Sequence, residues 1–144
     1  MKLKFPFIIL LFTYNISLFA QPEDYSGTYI RPYESQENQI LKWTLTLNSD
    51  GTFLYNFYRN LGDKNPEENF YGKGTWTSEK KLIFFYTDVN TAFNVPHIMD
   101  FTGSKARINK KSPRDKSDKI IKESIRFYES ELSVIKGLEL FKTM

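Results

Sequence analysis

The sequence predicts a single, all-β, mostly antiparallel domain, and three observations carry that expectation. Residues 41–48 alternate strictly, with Leu41, Trp43, Leu45 and Leu47 on one face and Lys42, Thr44, Thr46 and Asn48 on the other. A period of two is the signature of a half-buried strand. Turn-forming residues recur at short intervals between such runs, first at Asn48-Ser49-Asp50-Gly51, where Asp can bond its own backbone and Gly accepts positive φ. Phe, Tyr and Trp number 13, 9 and 2 among 144 residues, and aromatic side chains are enriched on pleated surfaces.

Each element follows in order. Gly27–Arg31 is an early strand. After the run at 41–48 and its turn, Thr52–Asn60 returns as the second arm of a hairpin, with Phe53, Tyr55 and Phe57 on the inward face and Arg59 continuing it. Leu61–Asn69 holds Gly62, Asp63, Asn65 and Pro66 and reads as a loop. In Phe70–Thr77, Gly72, Gly74 and Trp76 share one face; two inward glycines in a strand predict a bend or a close backbone approach. Leu82–Thr87 is a dense apolar strand, with Phe84 and Tyr86 expected to point inward. Asp88–Pro96 is a loop, Ile98–Phe101 and Lys105–Asn109 are short strands, and Lys110–Lys119 is an exposed polar loop. Residues 120–129 fit a helix on Ile121, Ile125 and Tyr128 and a strand on Ile125 and Phe127; strand is preferred because no helix stop signal follows. Glu131–Ile135 and Leu138–Lys142 form a last hairpin around Lys136-Gly137. About eight strands joined in sequence order should curl into a closed or nearly closed barrel, which removes exposed edges and leaves room for side chains or one small ligand.

The N-terminus supplies an address. Lys2 and Lys4 precede an apolar run, Phe5 to Leu11, that continues more weakly to Phe19 and ends at Ala20. That layout is a signal peptide over residues 1–20, with an extracytoplasmic (periplasmic or secreted) domain over 21–144 and no transmembrane anchor after cleavage. The chain has no cysteine, so disulfides are excluded. Charge is uneven: residues 103–122 hold eight Lys or Arg against two Asp, whereas residues 21–102 hold seven basic against eleven acidic residues.

Short motifs connect this pattern to a family. Gly27-Thr28-Tyr29 in the first strand, Leu45-Thr46-Leu47-Asn48-Ser49-Asp50-Gly51-Thr52-Phe53 at the first hairpin, and Gly74-Thr75-Trp76 further on together resemble the lipocalin-like domains of small secreted bacterial proteins. The resemblance implies a barrel more strongly than it implies a ligand; the function expected is a non-enzymatic binding module.

The residues themselves offer little chemistry for catalysis. His97 is the single histidine, no Cys nucleophile exists, and no Ser is placed on an elbow with a paired base. Neither a metal site nor a cofactor is expected: Glu67-Glu68 is too small a cluster and reads as solvated loop. Two sets remain. The inward set Trp43, Phe53, Tyr55, Phe57, Arg59, Trp76, Phe84 and Tyr86 is either plain core or the lining of a cavity for a small hydrophobic molecule, with Arg59 at the mouth to meet an anionic head group. The basic set Lys105, Arg107, Lys110, Lys111 and Arg114 is either a solvated loop or a contact for an anionic envelope component. Nucleic acid is not an expected partner, since no recognition fold is evident.

Overall fold

Alternating residues settle into eight strands: β1 (Gly27–Ile30), β2 (Ile40–Leu47), β3 (Thr52–Asn60), β4 (Glu68–Glu79), β5 (Leu82–Thr87), β6 (Lys105–Asn109), β7 (Ser124–Glu129) and β8 (Glu139–Lys142). The computed structural model describes residues 23–31, 39–62, 64–88 and 97–144; the predicted signal peptide, 1–20, and all but Asp88 of the segment predicted as a loop, 88–96, lie outside them. Every strand pairs antiparallel with its neighbour in sequence, and β1 also pairs with β8 through Tyr29↔Lys142 and Ile30↔Phe141, which closes the barrel. No helix occurs among the described residues. This all-β, closed antiparallel meander is the predicted fold class and is compatible with a lipocalin-like barrel.

The best-patterned region pairs without a break. β2 and β3 match over eight residue pairs, from Ile40↔Asn60 to Leu47↔Phe53. Gly51, at φ 84°, completes the turn between them, and the Asp50 carboxylate accepts from the Thr52 amide at 2.9 Å and the Thr52 hydroxyl at 2.6 Å. Those bonds hold the Asp50 carboxyl below its usual range. Trp76 clamps the same turn, donating its amide to the Gly51 carbonyl at 2.8 Å and its indole N–H to the Asn48 carbonyl at 3.0 Å.

The interior is filled from its middle to one end. Tyr29, Leu45, Leu47, Phe53, Tyr55, Ile83, Phe85, Ala106, Ile108, Ile125, Phe127 and Leu140 are buried on the inward faces of the strands. Phe101 adds a ring from the connection before β6, 4.9 Å from Tyr55, 5.4 Å from Phe53 and 6.1 Å from both Phe85 and Phe127. The glycines of β4 make that packing possible. A Cβ on Gly72 would sit 2.3 Å from the Phe101 ring, and one on Gly74 would sit 1.9 Å from the Tyr86 carbonyl oxygen. Both are close approaches that only glycine allows.

Three expectations need correction. Phe84 and Tyr86 do not point inward: Ile83 and Phe85 are fully buried while Tyr86 is 48% exposed. The run Leu82-Ile83-Phe84-Phe85-Tyr86 is apolar at every position, so it carries no alternation to fix its phase. Ile98–Phe101 is not a strand; it makes one parallel bridge, Tyr71↔Ile98, and then turns Phe101 into the core. Residues 131–138 are turns rather than the first arm of a hairpin, and β8 pairs with β7 and β1 instead. Ile135 and Leu138 are buried, so this segment covers the core without extending the sheet. Strand over part of 120–129 is correct, as β7.

Candidate functional site

The two ends of the barrel differ. One end carries the β2–β3 and β4–β5 turns, the chain entering β1 and the long β6–β7 connection. It is sealed by Tyr25, which is fully buried and whose hydroxyl proton is shared between the Glu23 carboxylate at 2.5 Å and the Lys80 carbonyl at 2.8 Å. The Tyr29 hydroxyl donates to the Tyr25 carbonyl at 2.8 Å, just inside. Burial raises both phenols well above their usual pKa, the Glu23 and Glu123 carboxylates adding to the effect.

The opposite end, the mouth, carries a row of half-buried rings. Trp43, Phe57 and Phe70 lie directly opposite one another on β2, β3 and β4. Their phase along each strand is that of the buried Leu45, Tyr55 and Gly72, so all three sit on the inward face. Trp43 stacks on Phe57 at 4.9 Å with planes 16° apart, and Phe57 stacks on Phe70 at 5.7 Å and 25°. His97 extends the row, its ring 5.1 Å from Phe70. It holds a left-handed backbone, φ 69°, while its carbonyl accepts from the Tyr71 amide at 3.1 Å.

Two arginines flank this row. The Arg31 guanidinium lies 4.9 Å above the Trp43 ring and the Arg59 guanidinium 5.5 Å from the Phe70 ring. Arg59 also forms an ion pair with Glu68, its partner across the β3–β4 ladder, with Nε 2.6 Å from Oε2. Arg31 is exposed and has no carboxylate partner among the described residues. The result is a shelf of π-faces at half depth with one neutralised and one available guanidinium. Such a surface offers stacking and cation–π contact to a flat apolar group and a charge to an anionic one.

The predicted inward set is thus divided by the structure. Trp43, Phe57 and Arg59 come together at the mouth. Phe53 and Tyr55 lie beneath them, fully buried, and burial raises the Tyr55 phenol above its usual pKa. Trp76 lies at the far end, on the β2–β3 turn, and Phe84 and Tyr86 face outward. Sequence reasoning missed Phe70, Glu68, Arg31 and His97. Phe70 and Glu68 are found once the β3–β4 register is known, because each opposes a residue already in the set. His97 and Arg31 carry no periodic signal.

The basic set is also divided. Lys105 pairs with Glu129 at 2.9 Å and Lys110 with Glu23 at 2.7 Å. The Lys111 ammonium donates to the Ser117 carbonyl within its own loop. Arg107 and Arg114 are exposed. Comparison of the chain with family models, with curated proteins and with solved structures found no match.

Proposed function

We propose that this chain is a non-enzymatic binding module whose small amphipathic ligand docks at the mouth of the barrel, against Trp43, Phe57 and Phe70. The observation that carries this is the stacked row of half-buried rings beside Arg31. Buried rings elsewhere in the barrel interlock with one another, whereas this row keeps part of its surface in reach of solvent. The ligand that fits has a flat or chain-like apolar part, for the rings, and an anionic group, for Arg31. The packing of Phe53, Tyr55, Phe85 and Phe101 favours a ligand seated on the mouth over one swallowed into the interior. Lipocalin-like kinship, carried by the Gly27, Asp50-Gly51 and Gly74-Thr75-Trp76 motifs, is part of the same reading. So is an extracytoplasmic address, which rests on Lys2, Lys4 and the apolar run that follows.

The protein's two tryptophans test this, because they lie at opposite ends. In a W76F variant, Trp43 alone reports on the mouth. Titration with the anionic fluorophore 8-anilinonaphthalene-1-sulfonate should quench Trp43 saturably, and F57A should weaken that binding by about tenfold, the loss of one stacking partner. Native mass spectrometry of freshly isolated protein should show a co-purified molecule of this class. Quenching of Trp76 but not of Trp43 in the matching single-tryptophan variants would overturn the assignment to the mouth.

A further inference from the structure

A second site lies on the outer wall at the sealed end. Lys80 and Lys81 form the β4–β5 turn, and with Glu79, Leu82 and Arg107 they line an open depression of about 530 Å3. The three cations come from two separate stretches of sequence, joined by the ladder that sets Leu82 opposite Arg107. Lys80 holds a left-handed backbone, φ 55°, and its carbonyl is fixed by the Tyr25 hydroxyl. The Lys81 carbonyl is fixed in turn by the Ile108 amide at 2.8 Å. The turn is therefore anchored on both sides, and the base of each lysine is held.

The next strand adds a fourth cation. Arg107 on β6 lies directly opposite Arg126 on β7, and both are exposed on the outer face. Like charges directly opposite in a ladder repel. None of Lys80, Lys81, Arg107 and Arg126 forms an ion pair with a carboxylate among the described residues, in contrast to Lys105 and Lys110. Glu79 is the only acidic residue lining the depression.

We infer that this depression binds a phosphoryl group. The Arg107 guanidinium fork, with the Lys80 and Lys81 ammonium groups across the depression and Arg126 on the next strand beside it, matches an oxyanion carrying several acceptor oxygens and more than one negative charge. Arg126 also lies opposite Glu139 across the β7–β8 ladder, so the phosphoryl group is held chiefly by Arg107, Lys80 and Lys81. This site is independent of the mouth: they sit at opposite ends and on opposite faces of the wall. The phosphoryl group can belong to a small phosphate or to a lipid head group.

The test separates these sources. Wild type, R107Q and a K80Q/K81Q double variant, the last two substituted on the outer surface, are first shown to unfold at the same denaturant midpoint. Inorganic phosphate is then titrated into isotopically labelled protein, with sodium chloride at matched ionic strength as control. Saturable shifts at Arg107, Arg126 and Lys81, lost in both variants, support the site with a free phosphate as ligand. Sedimentation with phosphatidylglycerol-containing vesicles that drops at least fivefold in both variants supports it with a lipid head group as ligand. Phosphate shifts no larger than those of chloride, together with vesicle binding that is absent or equal in the three proteins, would overturn it.

Discussion

The sealed end and the mouth of this barrel use the same residue types for different ends. At the sealed end, Tyr25 and Trp76 place their rings against the core and give their polar hydrogens to backbone carbonyls of the neighbouring turns. These contacts lock turn to core. At the mouth, Trp43, Phe57 and Phe70 stack on one another and on two guanidinium groups, and their outer surfaces remain half open. Aromatic content alone therefore does not separate structure from function in a β-barrel. What separates them is whether ring faces are enclosed by other side chains or left available at a rim.

The largest expected contrast is in stability. Phe101→Ala removes a ring enclosed by Tyr55, Phe53, Phe85 and Phe127, and should cost about 3–5 kcal/mol. Phe57→Ala removes a half-buried ring and should cost about 1–2 kcal/mol, since less apolar area returns to water. Denaturant unfolding of both variants measures the difference. Equal losses would mean that the mouth is as much core as the interior, and the contrast between them would collapse.

Gly74→Ala probes the wall itself. Its Cβ meets backbone, the Tyr86 carbonyl oxygen and Thr87 Cα, so β4 and β5 must separate; a loss near 3 kcal/mol is expected, at the upper end of ordinary overpacking. The nearest atoms to a Gly72→Ala Cβ all belong to the Phe101 ring. Phe101→Leu should therefore recover part of the Gly72→Ala loss and none of the Gly74→Ala loss, measured as coupling in two double-mutant cycles.

These residues also show what the sequence makes legible. Strands β2 and β3 alternate polar and apolar residues, and their bounds, turn and faces can be read directly. Strand β5 is apolar throughout, so its existence is readable but its phase is not, and Phe84 and Tyr86 change faces. Phe101 sits in a stretch with no periodicity; only the inward glycine at 72 hints that some ring must approach from across the barrel. At the mouth, Trp43, Phe57 and Arg59 are legible from strand phase alone. Phe70 and Glu68 require register, Arg31 requires the β1–β2 pairing that sets its amide on the Trp43 carbonyl, and His97 requires the bridge of its segment to β4. Periodicity encodes which way a side chain points, and only pairing encodes what it meets.

Alkaline pH should attack the sealed end and the interior together. Tyr25, Tyr29 and Tyr55 all have folded-state pKa values raised above the unfolded value, chiefly by burial. A phenol raised in this way stabilises the fold fully below the unfolded pKa of about 10 and loses that contribution as pH rises through the folded value. Each such tyrosine adds a slope of up to about 1.4 kcal/mol per pH unit in that window. Stability measured by urea midpoints should be flat between pH 8 and 9 on their account and fall steeply above about pH 10. Tyr25→Phe should make the fall shallower by one proton's slope, while Phe57→Ala at the mouth should leave its steepness unchanged.

The smallest stability effect, and the sharpest on function, is expected at Arg59. Its ion pair with Glu68 is about one-third exposed, and such pairs contribute about 0.2–1 kcal/mol, less in high salt. Arg59→Gln and Glu68→Gln should each shift the unfolding midpoint little, and a double-mutant cycle should return a coupling in that range that fades with added salt. Binding of an anionic probe at the mouth should respond in opposite directions. Glu68→Gln frees the Arg59 guanidinium to join Arg31 and should tighten the probe; Arg59→Gln leaves the Glu68 carboxylate beside the rings and should weaken it. A neutral apolar probe should change far less in either variant. If both substitutions moved anionic and neutral probes alike, the guanidinium groups would be acting only as packing against Trp43 and Phe70, and the mouth would select by shape rather than by charge.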